Sequence, residues 1–292
     1  MTTPNPLNRL KVFLLPLPRL CNVPQGARQR LMGCVLVLFL TRHGEGVHNV
    51  AEEYYGTAAW DCFWAQEYGN GTVTWVLPPP SLFPLTPAGR LTSQGPDALL
   101  TQHGINQALA ANKVWKHQLE YNIPLPHLHL SSPLSRAAST LDITWSDIPR
   151  SPRSPSPVFT PVFTEHLRES IGLHTCDQRR SKTYLQEQYP NFIFEPGFTQ
   201  RDELWGPRYQ ETRAQVARRV KGVLDRVWRA DVGGKPGVVY VAVTAHGGTV
   251  EGILDGVGHR GFKLRTGGMI PVVVKGVRKV WTCLSRLGAG CF

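Results

Sequence analysis

The sequence predicts an α/β fold, a three-layer α/β/α sandwich with a mainly parallel central sheet. Two apolar runs rich in Val and Leu, residues 31–40 and 238–243, indicate buried strands. Such continuous apolar runs are typical of parallel strands that are covered on both faces. Between them lie segments whose apolar residues recur every three to four positions, as in amphipathic helices. Strands that alternate with helices favour a parallel sheet between two helical layers.

Each further element is predicted from a local pattern. The first strand covers about residues 35–41, and a helix begins after residue 104. The apolar residues of that helix lie at helical spacing: Ile105, Ala108, Leu109, Val114 and Trp115. The other predicted elements are strands near 127–131, 158–164, 238–244 and 270–274, and helices at 133–146, 178–188, 209–230 and from Gly247.

The longest predicted helix, residues 209–230, combines an apolar stripe with a basic face. The stripe consists of Val216, Val220, Val223, Leu224 and Val227. The basic residues, which we expect to be solvated, are Arg213, Arg218, Arg219, Lys221, Arg226 and Arg229.

The pattern predicts one α/β domain over residues 35–275. Residues 1–34 are predicted to be a disordered extension, and residues 276–292 a basic tail. Residues 77–96 and 149–157 are rich in proline and lack periodicity, so we expect loop insertions there. An acid-free, arginine-bearing N-terminus is compatible with a mitochondrial presequence, although its prolines would break the required helix. We therefore predict a cytoplasmic protein, with a mitochondrial location as the alternative.

The net charge of +11 does not indicate a nucleic-acid surface, because it is concentrated at the two ends. Six basic residues precede the first acidic residue, Glu45, and four follow Val274, which accounts for all but one of the excess charges. A nearly neutral domain lacks the basic face that nucleic-acid binding needs. We predict no nucleic-acid partner and, because no apolar run could span a bilayer, no membrane partner. The sequence does not determine the oligomeric state.

Six cysteines occur without a Cys-x-x-Cys pair or other metal-type spacing. In a chain of this length they indicate reduced thiols of an intracellular protein. We predict no bound metal and no cofactor.

The most informative motif is Arg42-His43-Gly44, which follows the first strand directly, with His48 and Asn49 shortly after it. Open α/β sheets bind ligands at the carboxyl ends of their strands. An Arg and a His at such an end, next to a helix N-terminus, suit an anion. The motif therefore predicts an anion site at the end of the first strand.

Four later segments complete a resemblance to the histidine phosphatase superfamily, in its phosphoglycerate-mutase-like branch. They are Leu100-Thr101-Gln102-His103-Gly104, Ser131-Ser132-Pro133-Leu134-Ser135-Arg136-Ala137, Leu167-Arg168-Glu169 and Val243-Thr244-Ala245-His246-Gly247-Gly248. The segment 172–177 is similar to fungal members of that branch. A second Leu-Thr-x-x-Gly copy at residues 85–89 lacks a following helix, so we favour the copy at 100–104.

The resemblance implies a phosphohydrolase that removes phosphate from a small-molecule ester. His43 is implied to be the nucleophile, and Glu169 the proton donor, with Glu165 as the alternative because the spacing after Glu169 departs from that of many mutases. The residues implied to bind phosphate or substrate are Arg42, Arg136, His246, Asn49, Gly247 and His48. Each Arg can donate two parallel hydrogen bonds to phosphate oxygens.

Two questions stay open at the level of sequence. The first is the reaction: a phosphoglycerate-type mutase, or a repurposed or non-catalytic member acting on a non-phosphorylated molecule, are alternatives to a phosphatase. The second is the aromatic segment 54–75, which either packs internally or forms a wall over the site.

Overall fold

A central six-stranded sheet organises the chain. The computed structural model describes residues 31–70, 97–149, 158–229 and 238–279. In chain order the strands are β1 (Leu31–Arg42), β2 (Leu128–Ser131), β3 (Val162–Phe163), β4 (Ile193–Phe194), β5 (Tyr240–Ala245) and β6 (Met269–Lys279). Their order across the sheet is β4-β3-β2-β5-β1-β6. The pairs β1–β5, β5–β2, β2–β3 and β3–β4 are parallel, which confirms the predicted mainly parallel sheet.

Seven helices occur in the described part of the chain. They are α1 (Val47–Tyr55), α2 (Thr57–Cys62), α3 (Gln102–Leu119), α4 (Ser135–Trp145), α5 (Lys182–Gln188), α6 (Arg213–Trp228) and α7 (Gly247–Gly256). Short 3-10 turns at Glu165–Leu167 and Thr175–Asp177 precede and follow the segment that carries Glu169. The predicted elements agree with these to within a few residues, except that α2 and β4 were not predicted and the strand predicted at 158–164 is only two residues long.

Alternating side chains of the strands build a separate core on each face of the sheet. Leu38 of β1 and Val243 of β5 pack with the apolar stripe of α6 and with α7. Their neighbours Phe39 and Ala242 point to the other face, where Trp145 and other residues of α3, α4 and α5 cover them. Because strand side chains alternate, a sheet buried on both faces needs apolar residues at every position. These two cores make the three layers.

Helices α6 and α7 pack closely because of one glycine. A Cβ on Gly252 would lie 2.8 Å from Cγ1 of Val216, which is too close for an unshifted contact. The expected apolar stripe of α6 is buried as predicted. The prediction that its basic residues are all solvated is wrong for Arg219, whose side chain is only 7% exposed and pairs with Glu211.

A third, smaller core lies beneath the aromatic segment. Trp60 and Ala65 pack there with Ala98 and Cys176, whereas Tyr54 is 80% exposed. Within its described residues, the aromatic segment therefore contributes both to packing and to the surface. The part of it beyond Asn70 lies outside the described residues.

The residues Val35–Lys275 form one compact unit. The second unit comprises Met1–Cys34 with Gly276–Phe292, of which the structure describes 31–34 and 276–279 as the ends of β1 and β6. The predicted extension before residue 31, the insertion at 77–96 and most of the insertion at 149–157 lie outside the described residues. Across the described ranges, no helix has both the length and the apolar character to cross a bilayer.

Candidate active site

Parallel register brings His43 and His246 together. Arg42 pairs with Ala245 at the carboxyl ends of β1 and β5, and the backbone N of His43 donates to the carbonyl oxygen of Ala245 at 2.9 Å. The next residue of each strand is therefore a histidine at the same level of the sheet. The two imidazole centroids lie 5.0 Å apart. The site thus forms where parallel strands end, as the position of the first motif predicts.

The protonation of His43 follows from its two neighbours. Its Nδ1 lies 2.6 Å from the carbonyl oxygen of Gly44, which can only accept a hydrogen bond. Its Nε2 lies 3.4 Å from Nε of Arg136, which can only donate. The proton must therefore be on Nδ1, and the lone pair on Nε2. Burial lowers the pKa of His43 well below its ordinary value, and the charge of Arg136 lowers it further.

Arg136 lies in the first turn of α4 and is 1% exposed. Its Nη1 donates to the carbonyl oxygen of Cys176 at 2.6 Å, and its Nη2 donates to Oδ1 of Asp177 at 2.7 Å. A guanidinium has five N–H groups, so two remain after these bonds and the one to His43. Those two are the donors available to a phosphate.

Arg42 is less constrained than Arg136. It is half-buried, and its Nη1 donates to the carbonyl oxygen of Leu264 at 3.0 Å. A Cβ on Gly247 would lie 3.5 Å from the guanidinium carbon of Arg42, so this guanidinium lies beside the N-terminus of α7. The predicted phosphate-binding residues Arg42 and Gly247 are therefore neighbours.

His246 precedes α7 and is fully buried. Its Nε2 lies 2.7 Å from Oγ of Ser132, which follows β2. Its Nδ1 has no hydrogen-bond partner among the described residues. Burial lowers the pKa of His246 well below its ordinary value, with a further decrease from Arg136. His246 is thus neutral near pH 7, with one ring nitrogen uncommitted.

Glu169 contacts the same helix N-terminus. Its Oε2 accepts from the backbone N of Gly248 at 3.2 Å, and its Oε1 accepts from that of Ser170 at 3.0 Å. Burial raises the pKa of the Glu169 carboxyl, and the negative charge of Asp177 raises it further, against smaller opposite effects of the two N–H groups. A raised pKa suits a group that must donate a proton.

Glu165, the alternative acid, has different neighbours. Nε of Arg179 donates to both of its oxygens, at 2.9 and 2.8 Å, and Arg168 donates to Oε1 at 3.1 Å. Burial raises the pKa of Glu165 too, so the pKa does not distinguish the two carboxyls. Their hydrogen-bond partners distinguish them. Glu165 accepts from the buried guanidiniums of Arg168 and Arg179, whereas Glu169 accepts from the N-terminus of α7.

His48 and Asn49 lie in the first turn of α1. The ring of His48 is buried, 5.5 Å from that of His43 between centroids, and its Nδ1 has no hydrogen-bond partner in the described part of the chain. Burial and the charge of Arg136 lower its pKa well below the ordinary value. Oδ1 of Asn49 accepts from the backbone N of Gly46 at 3.0 Å. The helix turn therefore uses the Asn49 oxygen and leaves its amide nitrogen for other contacts.

Gly44 and Gly104 bring the first motif against α3. A Cβ on Gly104 would overlap the carbonyl oxygen of Glu45, and a Cβ on Gly44 would overlap that of Gly104. Thr101 caps α3 by accepting from the N of Gly104 at 3.0 Å, and it donates to Oε1 of Glu45 at 2.6 Å. The favoured Leu-Thr-x-x-Gly copy is therefore the one beside His43, and the copy at 85–89 lies outside the described residues.

The family comparison agrees with this geometry. A model of the histidine phosphatase superfamily (branch 1) matches residues 85–265, a range that includes Arg136, Glu169 and His246 and begins after His43. The chain belongs to the histidine phosphatase superfamily.

Named relatives extend the comparison. A probable phosphoglycerate mutase of Arthroderma benhamiae is 41% identical over 239 residues, which cover 82% of this chain and 63% of that protein. Phosphomutase-like protein 3 of Candida albicans is 32% identical over 238 residues, covering 82% of this chain and 65% of that protein. The chain thus spans somewhat less than two thirds of the length of these relatives.

Solved structures share lower identity with this superfamily member. A putative alpha-ribazole-5'-P phosphatase from Escherichia coli is 16% identical with a TM-score of 0.44, over 85% of this chain and 96% of that one. A mycobacterial glucosyl-3-phosphoglycerate phosphatase is 18% identical with a TM-score of 0.41, over 85% of this chain and 98% of that one.

Among the described residues of this histidine phosphatase homologue, one group has the ligand types of a metal site. Atoms of His174, Cys176 and Asp177 lie within 4.8 Å of one another. Burial raises the pKa of the Cys176 thiol well above its ordinary value, which disfavours the thiolate that binds metals. Asp177 already forms an ion pair with Arg136. The donor set therefore fits a metal ion poorly.

Sequence patterns missed several residues around the site. Ser132 could have been found, because it follows β2 as His43 follows β1. Asp97, whose Oδ2 accepts from the backbone N of Ser135 at 2.7 Å, and Asp177, at the end of the segment 172–177, carry no periodic signal for their contacts with α4. Arg219 belongs to a helix face that looks solvated, but it donates to the carbonyl oxygen of Glu169 at 3.2 Å.

Proposed function

We propose that this protein hydrolyses a small-molecule phosphate monoester through a phosphohistidine on His43. The observation that carries the proposal is the environment of this imidazole. An acceptor at Nδ1 and a donor guanidinium at Nε2 hold the ring neutral, with its lone pair on Nε2, and the ring of His246 lies 5.0 Å away between centroids. A nucleophilic imidazole needs this tautomer.

In the first step, the phosphate dianion binds between Arg42, Arg136 and His246, with Asn49, His48 and the N-terminus of α7 at Gly247 completing its contacts. Nε2 of His43 attacks phosphorus, and the bond from phosphorus to the ester oxygen breaks. Glu169 gives its proton to the leaving oxygen. The cationic groups stabilise the charge on the equatorial oxygens during transfer.

In the second step, Glu169 takes a proton from water as that water attacks the phosphohistidine. The N–P bond breaks, and the electron pair returns to Nε2 of His43. Inorganic phosphate leaves, and Glu169 is again protonated. The same carboxyl therefore acts first as an acid and then as a base.

A phosphoglycerate-type mutase is the second candidate, supported by the names of the fungal relatives. A mutase would carry out the same first step but would return the phosphoryl group to a second hydroxyl instead of water. A repurposed or non-catalytic role, with a non-phosphorylated ligand, would use the pocket without the phosphohistidine.

The test combines product analysis with trapping of the intermediate. We expect phosphate release from an aryl phosphate and from at least one member of a panel of metabolite and prenyl phosphates, undiminished by EDTA and inhibited by vanadate. Rapid quenching should trap phosphate on the peptide that contains His43, and His43→Ala should abolish turnover and trapping. Exposed His103→Gln is the matched control and should behave as wild type.

Three results would contradict the proposal in different ways. Phosphate trapped on another residue would exclude His43 as nucleophile. Interconversion of monophosphoglycerates, dependent on bisphosphoglycerate and faster than phosphate release, would establish the mutase. Activity that EDTA removes and a divalent metal restores would exclude the metal-independent mechanism.

A further inference from the structure

The segment 174–177 has no part in the proposed reaction, yet it contacts three parts of the site. The carbonyl of Cys176 and the carboxylate of Asp177 both accept from Arg136. The Asp177 carbonyl oxygen accepts from Nη2 of Arg168 at 2.6 Å. Oγ1 of Thr175 donates to the carbonyl oxygen of Glu67 at 2.9 Å, which ties the aromatic segment to the same turn. The turn therefore connects Arg136, the segment before Glu169 and the aromatic segment.

The contacts of Arg136 with this turn determine which edge of the guanidinium faces His43. The bonds to Cys176 and Asp177 engage both terminal nitrogens, which leaves Nε directed toward the imidazole. A side chain with four rotatable torsions would not hold this orientation without such partners. Asp177 is 5% exposed, so its ion pair with Arg136 is little screened by water.

A second buried carboxylate, Asp97, lies near Arg136 but acts elsewhere. Its Oδ1 is 3.6 Å from Nη1 of Arg136, an ion pair without a hydrogen bond. Its Oδ2 instead accepts from the backbone N of Ser135 at the start of α4, and its carbonyl oxygen accepts from Arg180. The Asp97 carboxylate thus binds the N-terminus of α4, whereas the Asp177 carboxylate binds the guanidinium of Arg136.

We propose that Asp177 is a positioning residue that orients Arg136 toward His43. This inference rests on the proposed phosphatase function, because it assigns a role in the same reaction. Asp177 does not touch the reacting atoms, and it acts through Arg136.

The charges around Glu169 give the proposal a second readout, the pH profile. After burial, Asp177 is the largest influence that raises the pKa of Glu169, and Arg136 opposes it. The backbone N–H groups of Ser170 and Gly248 also stabilise the carboxylate form of Glu169. Removal of the Asp177 charge should therefore lower the pKa of Glu169, so that it loses its proton at a lower pH.

Asp177 itself faces several titratable or charged groups. Arg136 bonds its carboxylate, Arg168 bonds its carbonyl oxygen, and Nδ1 of His174 lies 3.9 Å from its Oδ2. The charge of Asp177 also acts on the Glu169 carboxyl and on the Cys176 thiol. Asp177 therefore lies against the guanidinium groups of two arginines.

The experiment compares Asp177→Asn, which keeps an acceptor oxygen but no charge, with Asp177→Ala and Asp177→Glu. The pH profile of kcat/KM for an aryl and an alkyl phosphate is measured for each full-length variant, with the melting temperature. We expect Asp177→Asn to lower kcat/KM by about 10- to 100-fold, the range that follows misplacement of a catalytic group. Its alkaline limb should move to lower pH, and Asp177→Glu should restore part of the rate.

Asp202→Asn is the matched control for a merely structural effect. Asp202 makes a bidentate pair with buried Arg168 but has no described bond to Arg136 or the Glu169 side chain. This variant should lower the melting temperature without moving the alkaline limb. A rate of Asp177→Asn within twofold of wild type would overturn the proposal. An unshifted alkaline limb together with a loss of melting temperature equal to that of Asp202→Asn would also overturn it, because the effect would then be merely structural.

Failure of the proposed function would be visible separately. If the wild-type protein releases no phosphate, calorimetric binding of inorganic phosphate replaces the kinetic assay. Positioning of Arg136 by Asp177 then predicts that Asp177→Asn and Arg136→Ala weaken phosphate binding to a similar extent. Binding unchanged in Asp177→Asn but lost in Arg136→Ala would overturn the role of Asp177 alone. If Asp177→Ala does not fold, the isosteric variant Asp177→Asn decides the test.

Discussion

Nε of Arg136 lies 3.4 Å from Nε2 of His43, and a guanidinium has no acceptor atom. The opposite ring nitrogen of His43 lies 2.6 Å from the carbonyl oxygen of Gly44. A doubly protonated imidazole would direct an N–H group at the donor, so only the neutral ring with its proton on Nδ1 satisfies both contacts. The fold therefore holds the imidazole neutral, with its lone pair on Nε2.

This relationship predicts a specific pH dependence of stability. The pKa of His43 is lowered in the fold, so between that pKa and the ordinary value of 6.5 the unfolded chain binds more protons than the folded one. The contribution of His43 to the free energy of unfolding should then decrease as pH falls below 6.5, by at most about 1.4 kcal/mol per pH unit. Buried carboxyls with raised pKa values act in the opposite direction, so a paired comparison is needed.

The measurement is the melting temperature of wild type and His43→Asn from pH 7.5 to 5.0. The variant should lose less stability over this range than wild type, because it lacks the group that must become charged. Exposed His103→Gln should follow the wild-type curve. Parallel curves for wild type and His43→Asn would show that the imidazole is not held neutral.

Under the proposed function, Arg42 and Arg136 should both contribute to turnover, but in different ways. Arg42→Ala and Arg136→Ala should each slow turnover by about 10²- to 10³-fold, the loss expected for one transition-state donor. Arg136→Ala should also lower the melting temperature, because it leaves Asp177 buried without its cation. Lys at either position should restore only part of the rate. Near-wild-type kcat in Arg136→Ala would mean that another residue holds the phosphate.

Substitution of Glu169 should mainly reduce activity, and substitution of Glu165 should mainly reduce stability. Glu169→Gln should slow hydrolysis of an alkyl phosphate by about 10²- to 10⁴-fold. The loss should be smaller for p-nitrophenyl phosphate, whose leaving oxygen needs no proton. Glu165→Gln should mainly destabilise, by about 3–5 kcal/mol, because it removes the negative partner of buried Arg179. If Glu165→Gln shows the dependence on leaving group and Glu169→Gln does not, the acid is Glu165.

Adjacent arginines on α6 provide a matched pair for the unexpected role of Arg219. Arg219 forms two hydrogen bonds with Glu211 and donates to the carbonyl oxygens of His166, Arg168 and Glu169. Arg219→Ala should therefore cost about 3–5 kcal/mol of unfolding free energy, and it should lower kcat by loosening the segment before Glu169. Arg218→Ala, at an exposed position, should change the unfolding free energy by no more than about 0.5 kcal/mol. The free energy of unfolding of both variants is measured by urea denaturation. Equal changes in the two variants would contradict this assignment.

Local sequence patterns predicted five of the six strands and the level of the sheet at which the candidate site lies. Strands β1 and β5 end at Arg42 and Ala245, and a parallel sheet aligns such ends. Periodicity located α3, α4 and the buried stripe of α6, because burial of a helix face requires that spacing. The short elements α2 and β4 were missed because six and two residues are too few for a periodic signal.

The sequence by itself predicted that His43 and His246 follow strands, that Arg136 lies at the start of a helix, and that these residues and Glu169 occur in the order of a histidine phosphatase. Only the tertiary structure decided which partners the charged side chains meet. Arg136 pairs with Asp177, Glu169 accepts from the N-terminus of α7, and Glu165 pairs with Arg179. These contacts join residues from different elements, and a charged side chain carries no periodic signal for the partner it will meet. The choice depends on which elements the sheet brings together, since a buried charge is stable only where the fold supplies its counterion.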